Sequence, residues 1–342
     1  MMKAPRHGAR RTRIPRLLTA ALLGLAVAAS ACSGGTSPGR AHGAAPSDGR
    51  RSGAAPQVGD PCGTDPSRAQ HYRHVIWIWM ENKDYGSVIG SPDAPYENRL
   101  AKACGLATNY EGVAHPSLPN YLAATGGSTF GVTDDAGPDA HPIEARSLFG
   151  ELARGGRQWR GYVESMPGRC ALDSSGEYAV KHNPAVYYRR IRGQCAKWDV
   201  PMGGLRSGAF ASVLRKDALP ALSFVVPNLC HDTHDCPVAR GDAWLARWIP
   251  RIVASPAYRH GDTVIFLTWD EGEGGQHIPL IVVSPTTPRG TRVDRRLNHD
   301  ALLATAADLL GVRPPGKAAT ALSMRSAFHL GTARAHPGGG PR

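Results

Sequence analysis

The stretch DTVIFLTWDEGEGGQHIPLIVVSP, Asp262 to Pro285, decides how the chain is read. Two runs of β-branched and apolar residues, Val264 to Thr268 and Ile278 to Val283, predict strands buried on both faces. Between them lie Asp270-Glu271-Gly272-Glu273-Gly274-Gly275. Acids crowded at the end of a buried strand repel one another. Either a cation sits among them or the loop is simply solvated.

The flanking sequence repeats the pattern. HVIWIWM, His74 to Met80, and ALSFVVP, Ala221 to Pro227, predict two more strands. Helical segments alternate with them. Tyr96 to Ala103 is one. SLPNYLAATGG is another, with Ser117 as its N-cap and Gly126-Gly127 stopping it. In GDAWLARWIPRIVAS, the residues Trp244, Leu245, Trp248, Ile249, Ile252 and Val253 form one apolar stripe, with Asp242 as cap and a kink expected at Pro250. The last helix, HDALLATAADLLGV, starts at His299. Such alternation predicts an α/β fold with a mostly parallel central sheet and helices on both faces. Ligands of these folds collect beyond the carboxyl ends of the strands.

The residues just beyond each strand therefore matter. After the first comes Glu81-Asn82, after the second Cys230-His231-Asp232-Thr233-His234-Asp235-Cys236, and after the third Asp270-Glu271. Taken singly, each is an ordinary polar turn. Their coincidence at three strand ends favours a divalent cation, for which carboxylate and amide oxygens are suitable ligands and imidazole widens the choice. Ser117 opens a helix, where backbone N–H groups and the dipole favour an anion. As a mere cap it would contribute about 1 kcal/mol. A serine hydroxyl is a poor nucleophile unless a base or metal activates it, and no GxSxG elbow surrounds this one.

The ends of the chain read differently. Lys3, Arg6, Arg10, Arg11, Arg13 and Arg16 precede the apolar run LLTAALLGLAVAASA and then Cys32. This is the pattern of a signal peptide over residues 1–31. Ala29-Ser30-Ala31 before Cys32 suits a lipoprotein, with Arg10-Arg11 hinting at twin-arginine export. The expectation is an exported protein, held at the outer face of the membrane through a lipidated Cys32 or else secreted. Residues 32–70 are rich in Gly, Ala, Ser, Pro and Arg and read as a disordered tether, residues 71–330 as the folded domain, and residues 331–342 as a disordered tail. The leader carries six of the cations, so the net charge of +12 falls to +6 without it. The remaining Lys and Arg are scattered, which argues against nucleic acid as a partner. Cys62, Cys104, Cys170, Cys195, Cys230 and Cys236 remain after Cys32. In an exported chain they read as disulfides, expected between neighbours: Cys62 with Cys104, Cys170 with Cys195, Cys230 with Cys236. No CxxC pair supports a thiolate zinc site.

Taken in order, Glu81-Asn82 after its strand, His115-Pro116-Ser117-Leu118-Pro119-Asn120-Tyr121, Lys181-His182-Asn183-Pro184, SFVVPN with Asp232-Thr233-His234-Asp235, GDAWL, Thr268-Trp269-Asp270-Glu271 and His299 resemble the bacterial phosphoesterase family. That family holds acid phosphatases and phospholipases C and belongs to the alkaline phosphatase superfamily. The resemblance runs from His71 to Val312. It implies an alkaline phosphatase-like fold and a metal-dependent phosphomonoesterase with a phosphoserine intermediate, with phosphoinositides among the family's substrates. Ser117 matches the nucleophile. Glu81, Asn82, Asp270 and Glu271 match the groups that hold a divalent metal together with Ser117. Asn120 sits where the family offers an amide to a phosphate oxygen, and His182 or His234 where a leaving group is protonated. Asp232 and His234, with His277 as a third ligand, match a second metal site found in two-metal relatives. His299 reads as structural, and His231 and His260 as surface residues.

Two other readings stay open at this level. One is a phospholipase C-type phosphodiesterase, for which the domain is short. The other is a non-catalytic surface lipoprotein that binds phosphate or a phosphoinositide. A sulfatase is disfavoured, because HPSLPNY lacks the Arg of the C/S-x-P-x-R context.

Overall fold

The computed structural model describes residues 60–65 and 71–331. The expected signal peptide, Cys32, nearly all of the tether and nearly all of the tail lie outside these residues.

Among the described residues ten strands are formed: β1 (His74–Met80), β2 (Gly105–Ala107), β3 (Tyr110–Glu111), β4 (Trp159–Val163), β5 (Asp199–Pro201), β6 (Leu222–Val226), β7 (Thr263–Trp269), β8 (Leu280–Val283), β9 (Arg292–Val293) and β10 (Leu297–Asn298). Eight of them make one sheet in the order β5-β4-β6-β1-β7-β8-β2-β9, while β10 and β3 pair separately. β1 lies in the middle, parallel to β6 and to β7, in a register from His74 opposite Thr263 to Met80 opposite Trp269. Only β8 runs against the rest of this sheet. The continuous apolar character of β1, β6 and β7 has a physical reason: a parallel strand covered on both faces has no solvent side to alternate with.

Neighbouring residues of β1 show the two faces. Trp79 packs on Tyr121 and His299, from the helices Ser117–Gly126 and His299–Leu310. Met80 points the other way, against Gly241 of the helix Val238–Val253. Successive strand side chains alternate in direction, so helices cover both faces.

Several local expectations shift. The strand expected from Ile278 starts at Leu280, because the Ile278 amide donates to Tyr110 instead of continuing the ladder. Ser117 is the first helical residue and Pro116 the N-cap; the helix stops at Gly127 in the left-handed region, φ 70°. Asp242 does not cap its own helix, which already begins at Val238. Its carboxylate accepts from the Tyr96 and Glu97 amides and caps the neighbouring helix Pro95–Ala103. The Val238–Val253 helix runs on through Pro250. The three disulfides join Cys62 to Cys104, Cys170 to Cys195 and Cys230 to Cys236. Among the described residues no helix is long and apolar enough to cross a membrane.

Candidate active site

The register of β1 with β7 sets Met80 opposite Trp269, so the next residues, Glu81 and Asp270, leave the sheet side by side. The Asp270 amide donates to Met80 O at 3.1 Å and the Glu81 amide to Asp232 O at 2.7 Å. Asn82 turns back at φ 52°, and its amide donates to Asp270 Oδ1 at 3.1 Å. Beyond β6, the loop from Cys230 to Cys236 is closed by its disulfide. Within it Thr233 is held at φ 81°, unusual for a β-branched residue, and its hydroxyl donates to Glu81 O at 2.8 Å. Three strand ends thus converge on one point.

The helix from Ser117 supplies the fourth side. Ser117, Asn120 and Tyr121 fall at i, i+3 and i+4 and share one face. The Ser117 hydroxyl donates to Glu81 Oε2 at 3.1 Å, and the Tyr121 hydroxyl donates to Glu81 Oε1. Asn120 is turned inward. Its Oδ1 accepts from the Val113 and Ala114 amides at 2.9 and 3.0 Å, while Nδ2 donates to Ala114 O at 2.8 Å and Glu271 Oε2 at 3.0 Å. The amide expected to meet a phosphate oxygen is therefore engaged in holding the loop before Ser117. Glu271 is tied down as well, with Oε2 2.9 Å from His115 Nδ1. Gly112 permits the close approach of this loop, since a Cβ there would lie 2.8 Å from Asp270 O.

His182 is enclosed between two acids. Nε2 stands 3.3 Å from Glu81 Oε2 and Nδ1 3.3 Å from Asp232 Oδ2, with the ring stacked on Tyr121. His234 is half-buried, its amide donating to Asp232 Oδ1 at 2.8 Å and its ring facing Asp235 and Lys181. His277 is not brought to this group. Its exposed ring stacks on Tyr85, and Nε2 donates to Thr108 O at 3.0 Å. The expected second set of Asp232, His234 and His277 is thus not assembled; Asp232 joins Glu81 and His182 instead. His299 donates from Nε2 to Asp270 O at 2.7 Å and so supports that residue from behind. His231 is half-buried and pairs with Glu164, whereas His260 is exposed beside Asp217.

Charge is unbalanced here. Burial pushes Glu81 well above the usual carboxylate range, and Asp270 and Asp232 push it further. Burial also raises Asp270, takes Asp232 up to about 7 and takes Glu271 up to about 8. The same desolvation, with the Lys181 charge behind it, holds His182 down to about 3. Asn82 Oδ1, Asp232 Oδ2, Asp270 Oδ2 and His182 Nε2 are buried without a hydrogen-bond partner. Ligand atoms of Glu81, His182 and Asp232 lie within 4.8 Å of one another. Buried polar atoms are nearly always satisfied, so these orphans need an explanation. A divalent cation supplies one, and the oxygen and imidazole donors fit it.

Sequence reasoning left three contributors without a role. Tyr121 could have been found from its i+4 spacing to Ser117. Lys181 lies directly before His182 in the Lys-His-Asn-Pro motif. Asp135, which accepts from the Leu118 amide at 3.0 Å and from Lys181 Nζ at 2.9 Å, carries no local signal.

The model of the Phosphoesterase family matches residues 79–313. This chain belongs to the phosphoesterase family. The phosphoesterase is 31% identical over 266 residues to the phosphatidylinositol-3-phosphatase of Mycobacterium tuberculosis, covering 76% of this chain and 84% of that one. It is 28% identical over 261 residues to the phosphate-repressible acid phosphatase of Penicillium chrysogenum, covering 72% of this chain and 61% of the fungal one, less than two thirds of its length. By family it is an enzyme, a phosphoric monoester hydrolase. In fold the phosphoesterase is similar to a protein of the alkaline phosphatase superfamily from Vibrio parahaemolyticus, with a TM-score of 0.52 at 14% identity over 80% of this chain and 76% of that one.

Proposed function

We propose that the phosphoesterase is an exported, metal-dependent acid phosphatase that works through a phosphoserine at Ser117, with phosphoinositides among its substrates. The observation that carries this reading is the Ser117 hydroxyl 3.1 Å from Glu81 Oε2, inside a buried group of acids at three strand ends. Ser117 Oγ attacks phosphorus while the ester P–O bond breaks. Glu81 Oε2 holds the hydroxyl proton and orients the oxygen. Ser117 lies in the first turn of its helix, so the dipole favours the anion that arrives there. His182 is enclosed, which leaves the half-buried His234 as the imidazole with access to a departing alkoxide. Water then cleaves the phosphoserine and releases inorganic phosphate.

Glu81, Asn82 and Asp270, with His182 and Asp232 from the facing side, would hold the divalent cation, which when bound neutralises phosphoryl charge and lowers the pKa of the Ser117 hydroxyl. Export is supported by the three disulfides, which suit an oxidising compartment. The phosphoinositide substrate rests on the mycobacterial relative's name.

The test is a phosphate-release panel at acid and neutral pH, with and without chelator. It compares an aryl phosphate, phosphatidylinositol 3-phosphate and an aryl phosphodiester. The expected result is chelator-sensitive hydrolysis of both monoesters with the diester far slower. No monoester hydrolysis under any of these conditions would overturn the reading.

A further inference from the structure

We infer that Lys181 is a substrate-binding residue that contacts the phosphoryl group and sets a preference for a dianionic phosphate monoester over a monoanionic diester. This rests on the phosphatase reading above and deepens it.

Lys181 sits in the short 3-10 turn Val180–His182, next to the imidazole enclosed by Glu81 and Asp232. Nζ lies 2.9 Å from Asp135 Oδ2 and 3.4 Å from His234 Nε2. An ammonium has three donors, so at least one remains for an incoming oxygen whether or not His234 Nε2 accepts one. Asp135 shows what the place accommodates: Oδ1 accepts from the Leu118 amide in the first turn of the Ser117 helix, and Oδ2 accepts from Lys181. One anion already bridges a helix N-terminus and an ammonium beside the nucleophile. The Lys181 and Asp135 side chains are 20% and 29% exposed, whereas Glu81 and Asp270 are fully buried, so this bridge is open to solvent and the acids lie beneath it.

The alternative is an ion pair with no catalytic role. A partly exposed pair contributes roughly 0–1 kcal/mol to stability. Replacing Lys181 would then change little. A substrate contact behaves differently, because the attraction between an ammonium and a phosphate scales with the phosphate's charge. Above its second pKa, about 6, a monoester is a dianion with twice the charge of a diester and one more non-bridging oxygen, so the comparison is made at neutral pH. Losing Lys181 should therefore penalise the monoester more.

The experiment compares the full protein with Lys181→Met and Lys181→Arg, after matched melting curves. Expected are a fall in kcat/KM for an aryl phosphate monoester on the order of 100-fold and a smaller fall for the diester. Inorganic phosphate, titrated calorimetrically, should bind Lys181→Met at least about tenfold more weakly, and Lys181→Arg should regain part of both losses. Lys181→Gln repeats the test if the apolar replacement disturbs folding. Equal falls for monoester and diester, or phosphate binding as tight as in the unsubstituted protein, would overturn the inference. An unsubstituted protein with no monoester turnover would sink the phosphatase reading instead, and the phosphate titration would still judge Lys181.

Discussion

The hydroxyl of Ser117 donates to Glu81 Oε2 across 3.1 Å, joining the first turn of a helix to the end of the central strand. Thirty-six positions separate the two in sequence. The bond places a potential nucleophile against the most crowded carboxylate of the site.

Ser117→Ala should therefore abolish turnover of an aryl phosphate, by at least about a thousandfold, while the protein stays folded. The cost in stability should be about 1–2 kcal/mol, for one lost hydrogen bond to a buried acid that keeps Tyr121 as donor. Activity and melting temperature measured on one preparation check both parts. Retained turnover removes Ser117 from the chemistry.

Chelation should abolish activity and a divalent ion should restore it. The same ion should raise the melting temperature, because it binds the folded arrangement of Glu81, Asp232 and Asp270 and relieves their repulsion. Elemental analysis gives the stoichiometry. Full activity in excess chelator, with no metal bound, would contradict this.

Asp199 makes stability depend on pH. Its carboxyl is buried, Oδ2 accepts from Asn183 Nδ2 at 2.8 Å, and Oδ1 has no partner. Burial raises it to about 7, against roughly 4 in an unfolded chain. Between those values the folded protein keeps a proton that the unfolded chain releases. The stability this group contributes is fully present below about pH 4 and is lost as pH rises through 7. Asp199→Asn, which cannot ionise, should melt higher than the unsubstituted protein at pH 8 and close to it at pH 5. Parallel melting curves across that range would exclude the effect.

The Cys230–Cys236 disulfide should matter more to activity than to folding. It closes a loop with a sequence separation of 6, worth roughly 2 kcal/mol by the chain-entropy relation. It also holds Thr233 at φ 81° and keeps Asp232 against Glu81 and His182. Replacing both cysteines by serine should lower kcat/KM on the order of 10- to 100-fold, as small displacements of positioning groups do. A variant with unchanged kinetics would show that the loop keeps its shape without the bond.

Much of the fold was legible in local pattern. β1, β6 and β7 announce themselves as unbroken apolar runs because a parallel strand has no polar face to display. β4 and β5 do not. WRGYV and DVP carry too little apolar character of their own and become strands because β6 offers β4, and β4 offers β5, a ladder to join. The neighbour pairing of the cysteines was also readable, since each pair is close in chain order.

The site divides in the same way. Residue type and position after a strand mark Glu81, Asp232 and Asp270, because a sheet with parallel central strands must deliver the ends of β1, β6 and β7 to one rim. The surroundings of each atom were decided elsewhere. Asn120 faces Glu271 and the loop before Ser117, His277 lies on Tyr85, and Asp135 comes from a loop with no pattern to bridge Leu118 and Lys181. A side chain's partners are set by packing among segments far apart in the chain, and one residue's identity carries no record of them.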